Sequence, residues 1–337
     1  MPALLVQTSF LGDMVLTTPL IAWLAGSRPL DVVATPRAAG LLENNPDVRE
    51  VILYDKRGVD RGIAGFTRLA SRLRAKRYDA AYLAQGSVRS GALALIAGIR
   101  DRVGFASSAG RLFYTTRVPS IDNMHHAARL LSLATRDPTR DIAASALRPH
   151  LYPGDRQRTA VDQLLGAAKL GEPLIALAPG SVWATKQWPY YADLARDLRS
   201  DARLVIVGAE SDRPLAAEIV HATGGTAIDA TGRLSLLASA ELIGRSMLLV
   251  TNDSAPLHLA SAMNTPTVAI FGPTVPEFGF GPLADRSRVA GRTGLDCRPC
   301  DRHGPRRCPL GHWRCMREIT ADDVARLARG LLTTRAS

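Results

Sequence analysis

Two series of short apolar runs, each run parted from the next by a segment with helical spacing, constrain this chain more than any other feature. The first series comprises residues 3–7, 31–34, 51–54, 80–83 and 102–105; the second starts near Pro173 and continues through 204–207, 248–250 and 267–271. Short, nearly continuous apolar runs describe strands buried on both faces, and their alternation with helices describes a parallel sheet covered on both sides. Between the series, residues 136–158 are largely polar and carry Pro138, Pro149 and Pro153, the composition of a linker. A chain of 337 residues that is 46% hydrophobic is long enough for two cores. The expected fold is α/β, with two Rossmann-like domains facing each other across a central cleft. They span residues 1–158 and 159–319, and a terminal helix within 320–337, capped at Thr320, has packing back on the first domain as one option.

Charge narrows the partner. The net charge of +11 and a pI near 10.1 favour an anionic ligand or surface. Only four of the 42 basic residues are lysine, namely Lys56, Lys76, Lys169 and Lys186. Residues 57–117 hold twelve basic side chains against Asp60, Asp79 and Asp101, so the first domain is expected to meet an anionic acceptor or membrane surface. Aromatic residues are sparse in that stretch, which counts against nucleic acid. No charged-then-apolar leader precedes the first run and no run approaches bilayer length, so a cytoplasmic protein, at most peripheral on the inner face of the membrane, is expected.

Ligands of open α/β sheets bind just past the carboxyl ends of the strands, and four loops lie there. Thr251-Asn252-Asp253-Ser254 leads from an apolar run into a helix through Met263, with Asp253 or Ser254 as cap and Pro256 in the first turn. Such a helix start offers unpaired N–H groups and a positive dipole end to a phosphate. Ser254 and the N–H groups of Ser254 and Ala255 are the candidate donors, with a capping residue alone the simpler alternative; His258, one turn on, either reaches a phosphate or sugar hydroxyl or is a satisfied core residue. Ala178-Pro179-Gly180-Ser181 precedes Lys186, a compact point charge suited to phosphate. Asp253 is expected to hold neighbouring backbone N–H groups and orient Lys186 rather than touch a phosphate that repels it. Glu210, after Gly208, is placed to accept hydrogen bonds from a ribose diol. In the first domain Gly12 and Asp13 open a helix; Asp13 either serves as a general base or only complements the helix dipole.

Cys297, Cys300, Cys308 and Cys315 are the only cysteines and are spaced C-x2-C-x7-C-x6-C. A closed structural zinc site and reduced cysteines packed in a loop are both open, with disulfide or redox use a weaker reading in a reducing compartment. A catalytic metal is not expected.

Together, Ser9-Phe10-Leu11-Gly12-Asp13-Met14, Pro179-Gly180-Ser181 with Lys186-Gln187-Trp188-Pro189, and Thr251-Asn252-Asp253-Ser254 through His258 with Gly272-Pro273-Thr274 resemble glycosyltransferase family 9, the bacterial ADP-heptose:lipopolysaccharide heptosyltransferases. The first motif and Cys308-Pro309-Leu310-Gly311-His312 resemble the heptosyltransferase II branch. The resemblance implies a GT-B enzyme that inverts the anomeric centre without a catalytic metal or other required cofactor. ADP-heptose is the implied donor and the lipopolysaccharide inner core the implied acceptor. It further implies Asp13 as catalytic base, Lys186 on the donor phosphates, residues 253–258 on the diphosphate, and Ser181 and Glu210 on phosphate and ribose. Where relatives often carry glycine, Ala255 brings a methyl group toward the diphosphate. The alternatives are a transferase or epimerase of the same fold using another nucleotide sugar, and a non-catalytic sugar-nucleotide or glycolipid-binding protein.

Overall fold

A computed structural model describes residues 1–166 and 172–333; Lys169 lies outside the described residues. The chain divides into two units, Met1–Tyr152 and Pro153–Ser337. In the first, β1 (Ala3–Gln7) leads into α1 (Leu11–Ala25), followed by β2 (Leu30–Ala34), the single turn α2 (Pro36–Ala39), β3 (Glu50–Leu53), α3 (Gly62–Ala75) and β4 (Ala80–Leu83). Then come α4 (Val88–Ile96), β5 (Asp101–Phe105), β6 (Thr116–Val118), α5 (His126–Thr135) and the short α6 (Ala144–Leu147). All six strands are parallel, in the order β3-β2-β1-β4-β5-β6. The apolar runs at 3–7, 30–34 and 80–83 are buried along their whole length, as strands covered by helices on both faces must be.

The second unit repeats the plan. It contains α7 (Asp155–Leu165), β7 (Leu174–Ala178), α8 (Tyr191–Leu198), β8 (Arg203–Ile206), α9 (Arg213–Ala222), β9 (Ile228–Asp229) and α10 (Leu236–Arg245). It continues with β10 (Leu248–Asn252), α11 (Ala255–Met263), β11 (Thr267–Phe271), β12 (Ser287–Gly291), the short α12 (Arg314–Arg317) and α13 (Ala321–Thr333). Its parallel sheet runs β12-β11-β10-β7-β8-β9. Renumbered within each unit, both sheets follow the Rossmann order 3-2-1-4-5-6, which reverses direction between the first and fourth strands. That reversal falls between β1 and β4 in one unit and between β7 and β10 in the other.

The units divide after Tyr152 rather than after residue 158, for a local reason. Leu151 is buried, the His150 N–H donates to Thr18 Oγ1 at 2.9 Å, and Asn44 Nδ2 donates to the Tyr152 carbonyl at 3.1 Å, so residues 150–152 belong to the first core. Helix α7 is tied to α10 by the Arg245–Asp162 ion pair and belongs to the second. Thr320 caps α13 reciprocally with Asp323, whose N–H donates to Thr320 Oγ1 at 3.2 Å while the Thr320 N–H donates back to the carboxylate. Val324, Ala325, Ala328 and Leu331 of α13 are buried in the second unit's own core, against α8 and the β11–β12 edge, where packing back on the first domain had been one option.

Candidate active site

In the second unit three loops converge on the switch point. Loop β7–α8 carries Ser181 and Lys186, loop β10–α11 carries Asp253 and Ser254, and the residues after β11 carry Thr274. The Lys186 ammonium donates to Asp253 Oδ2 at 2.6 Å, and Thr274 Oγ1 donates to the same oxygen at 2.7 Å. Lys186 is 7% exposed, Asp253 8% and Thr274 1%. A buried charge is tolerated only when paired and hydrogen-bonded, and here both conditions hold. The structure thus brings Lys186 and Asp253 together, and the donors on the Asp253 carboxylate are the side chains of Lys186 and Thr274 rather than the neighbouring backbone N–H groups expected there.

The loops are fixed by Asn252, which sequence reasoning passed over. Its Nδ2 donates to the Pro179 carbonyl at 2.8 Å, while its Oδ1 accepts from the Trp188 N–H and the Tyr191 hydroxyl, each at 3.3 Å. Trp188 is buried and donates its indole N–H to the Ile319 carbonyl at 2.8 Å. Lys186 thus projects from a short 3-10 turn clamped on both sides.

Helix α11 begins as the sequence suggests, but its cap does not close. Ser254 occupies the N-cap position in extended conformation, yet its hydroxyl makes no cap hydrogen bond and has no partner among the described residues. Asp253, the other candidate cap, is turned to Lys186 and Thr274. Pro256 has no N–H and the Leu257 N–H donates to the Ser254 carbonyl at 3.1 Å, so this end is left with the Ala255 N–H and the buried Ser254 Oγ. Ala255 and Pro256 form the first turn, and His258 is buried, edge-on to Phe280 with ring centres 6.3 Å apart. Ser181 is half-buried; its hydroxyl accepts from the Trp183 N–H at 3.3 Å. Glu210 is exposed and pairs loosely with Arg213 at 3.4 Å. Beside it Asp212, which the sequence did not single out, accepts the Ala209 N–H at 2.8 Å. A Cβ at Gly180 would overlap the Asp212 carboxylate, so the loops after β7 and β8 pack against each other only with glycine there.

The cysteine segment lies beside this site. Arg298 Nε donates to the Gly272 carbonyl at 2.6 Å, its Nη2 to those of Phe271 and Thr274 at 3.1 Å each, and its Nη1 to that of Arg292 at 2.7 Å. Burial pushes its pKa below the usual guanidinium value. Gly304, at φ +82°, comes so close that a Cβ there would stand 3.2 Å from Lys186 Cε. The four cysteines are free thiols, and among the described residues no group of three or more His, Cys, Asp or Glu is arranged to hold a metal ion. Cys300 donates to the Cys297 carbonyl at 3.1 Å, and the Cys297 sulfur lies 3.9 Å from His312 Nε2. Burial, then the neighbouring thiols, push Cys315 up to about 11. Such a thiol is protonated near neutral pH.

In the first unit Asp13 stands in the first turn of α1, past the carboxyl end of β1. Its Oδ2 accepts the Phe10 N–H at 3.4 Å, and its Oδ1 lies 3.6 Å from His126 Nε2. The loop before it is held by Gln7, which accepts the Ser9 N–H at 3.2 Å, and by Lys56, whose ammonium donates to the Thr8 carbonyl at 3.1 Å. Burial, with Arg57 and Arg89 nearby, pushes the Lys56 pKa down.

Two parallel sheets, each with the Rossmann order and helices on both faces, define the class: an α/β protein of the GT-B type. The chain belongs to glycosyltransferase family 9 (heptosyltransferase), whose family model matches residues 66–312. It is 29% identical over 309 residues to lipopolysaccharide heptosyltransferase 2 of Escherichia coli K12, spanning 86% of this chain and 87% of that protein. It is 28% identical over 324 residues to lipopolysaccharide heptosyltransferase 1 of Pseudomonas aeruginosa, spanning 89% and 86%. Among solved structures, the E. coli ADP-heptose lipopolysaccharide heptosyltransferase II aligns over 100% of both chains at 26% identity with a TM-score of 0.81. The family 9 glycosyl transferase from Veillonella parvula aligns over 99% and 97% at 24% identity and 0.87, a likeness of fold.

Proposed function

We propose that this chain transfers a heptose from ADP-heptose to the inner core of lipopolysaccharide, with inversion at the anomeric carbon. The observation that carries the reading is the buried Lys186–Asp253–Thr274 group beside an uncapped helix N-terminus. An ammonium held by one carboxylate oxygen, next to the Ala255 N–H and the Ser254 hydroxyl at a helix N-terminus, suits the charge that grows on a departing diphosphate. Relatives named heptosyltransferase 2 and the matching heptosyltransferase II structure support ADP-heptose as the donor.

In this scheme the bond between the anomeric carbon and the β-phosphate oxygen breaks, and the electron pair leaves with ADP. The acceptor hydroxyl oxygen bonds the anomeric carbon from the opposite face, and its proton passes to Asp13. Ser181, Ala255, Pro256 and His258 shape the phosphate seat, and Glu210 takes the ribose. The acceptor and an anionic membrane surface meet the arginine-rich first unit, where Val59, Ile63 and Leu112 are exposed among Arg57, Arg61 and Arg111. Among the described residues no helix is long and apolar enough to cross a membrane.

Incubating the protein with ADP-heptose and a truncated lipopolysaccharide acceptor, and reading product mass, tests the reading. Heptose addition is expected; conversion of donor alone would indicate an epimerase, and binding without turnover a carrier. Asp13→Asn is expected to keep ADP binding and to lower transfer about a hundredfold or more.

A further inference from the structure

The general base assigned above is a carboxylate on the first turn of a helix, and a side chain there needs something to fix its rotamer. One oxygen of Asp13 is engaged by the Phe10 N–H; the other faces the imidazole of His126 at 3.6 Å. Both side chains are largely shielded, 19% exposed for Asp13 and 17% for His126. The imidazole comes from a separate element whose position is well determined. His126 is the first residue of α5, and the His125 Nδ1 caps that helix by accepting the Ala127 N–H at 3.2 Å. Leu130, Leu131 and Leu133 are buried, and α5 packs along α1, the helix that carries Asp13.

We propose that His126 is a positioning residue for Asp13: its Nε2–H holds the carboxylate so that one lone pair points at the acceptor hydroxyl. The inference rests on the reading of Asp13 as base. A carboxylate on a helix surface samples several rotamers, and a base that must meet a hydroxyl within hydrogen-bond reach loses rate for every rotamer that misses. Contacts of this kind are long in a free enzyme and tighten when substrate is bound. His126 itself exchanges no proton with substrate in this scheme. Its removal therefore acts on turnover and leaves the second unit's hold on the donor untouched.

The experiment compares His126→Leu, which removes the donor, with His126→Gln, whose amide restores an N–H near the Nε2 position. Asp13→Asn is measured beside them. His126→Leu is expected to lower kcat about ten- to a hundredfold, the usual cost of losing a group that orients a functional side chain. Donor and acceptor KM should stay within about twofold, the range that marks unchanged uniform binding. His126→Gln should recover most of the lost kcat. Unchanged kcat in His126→Leu overturns the inference, as does an equal loss in both His126 variants, which would mean that the imidazole itself carries the proton. Unchanged activity of Asp13→Asn instead removes the base reading. The two failures are therefore separable.

Discussion

Replacing Lys186 with methionine isolates the energetic core of the donor site. Methionine keeps the length of the stem and removes the charge, leaving Asp253 buried with the Thr274 hydroxyl as its remaining side-chain partner. Breaking a buried ion pair from one side costs about 3–5 kcal/mol, because the surviving charge is uncompensated. A unit of this length loses roughly 2–4 °C of Tm per kcal/mol. The second unit should therefore melt roughly 6–20 °C lower. Tryptophan fluorescence can follow it, since Trp183, Trp188 and Trp313 lie in that unit and only Trp23 in the other. Adding Asp253→Asn removes the stranded charge while leaving an oxygen for Thr274 to donate to. The double variant should recover to within about 1–2 kcal/mol of the parent, since removing both members of a buried pair costs far less than removing one. It should nevertheless transfer heptose poorly, because the phosphate cation is still missing. A Lys186→Met protein that melts with the parent, or a double variant no more stable than the single one, would refute the reasoning.

Three further outcomes follow from other parts of the molecule. Arg298→Ala removes the side chain that donates to four carbonyls; a loss of about 2–3 kcal/mol, cleavage by protease within residues 292–315 and a raised donor KM are expected, read by limited proteolysis and steady-state kinetics. Asp31 is fully buried, and burial pushes its pKa up, but hydrogen bonds from Arg49 (2.8 and 2.7 Å) and Tyr78 (2.5 Å), with the Arg49 and Lys76 charges, outweigh this and hold it below the ordinary value. A carboxylate depressed in the folded state stabilises above its unfolded pKa of about 3.9 and loses that contribution as pH falls through the folded pKa. Denaturant melts of the first unit should therefore weaken below about pH 4, and Asp31→Asn should flatten that dependence. Among the cysteines, burial raises Cys308, but the N–H groups of Trp313, Leu310, Gly311 and His312 prevail and lower its pKa, whereas Cys315 is buried and raised to about 11. Timed alkylation read by mass spectrometry should label Cys308 first and Cys315 last, and labelling of Cys315 as fast as Cys308 would refute the ordering.

Most of the fold was legible because buried parallel strands leave little choice of sequence. The run 267–271 reads as a strand and forms one over those residues, and 3–7 and 80–83 do likewise. The strands that escaped notice are at the sheet edges. Residues 287–291 are Ser-Arg-Val-Ala-Gly, with one buried position, and 228–229 form a strand of two residues. An edge strand has a neighbour on one side only, so it needs no continuous apolar run to hold it. The pairing of Lys186 with Asp253 was legible as chemistry, since a phosphate repels the carboxylate and the ammonium attracts it. The roles of Asn252 and Arg298 were not, because each acts by donating to or accepting from backbone atoms far along the chain. Such contacts leave no periodic trace in sequence. His126 escaped for the same reason: it meets Asp13 across 113 positions of sequence, through the packing of two helices.

The two units use one topological device for opposite electrostatic ends. In the first unit the first strand, and in the second the fourth, ends at the switch point of a Rossmann-ordered sheet and leads into a helix whose start carries a positive local field. In the first unit the carboxylate of Asp13 lies within that helix turn, and Oδ2 answers the Phe10 N–H. There the positive end of the helix is met by a carboxylate of its own first turn. In the second unit the carboxylate stands one residue before the N-cap, and Asp253 turns away from α11 to Lys186 and Thr274. There the helix end is left without a carboxylate at its cap, and Asp253 holds the Lys186 ammonium. Moving an acidic residue between these places would exchange the functions: an aspartate at Ser254 would cap α11 and repel the diphosphate. Ser254→Asp is accordingly expected to stabilise the helix by up to about 1 kcal/mol while weakening ADP binding. Calorimetric titration alongside thermal melts would show the two effects moving in opposite directions, and a variant that binds ADP as tightly as the parent would place the diphosphate away from this helix.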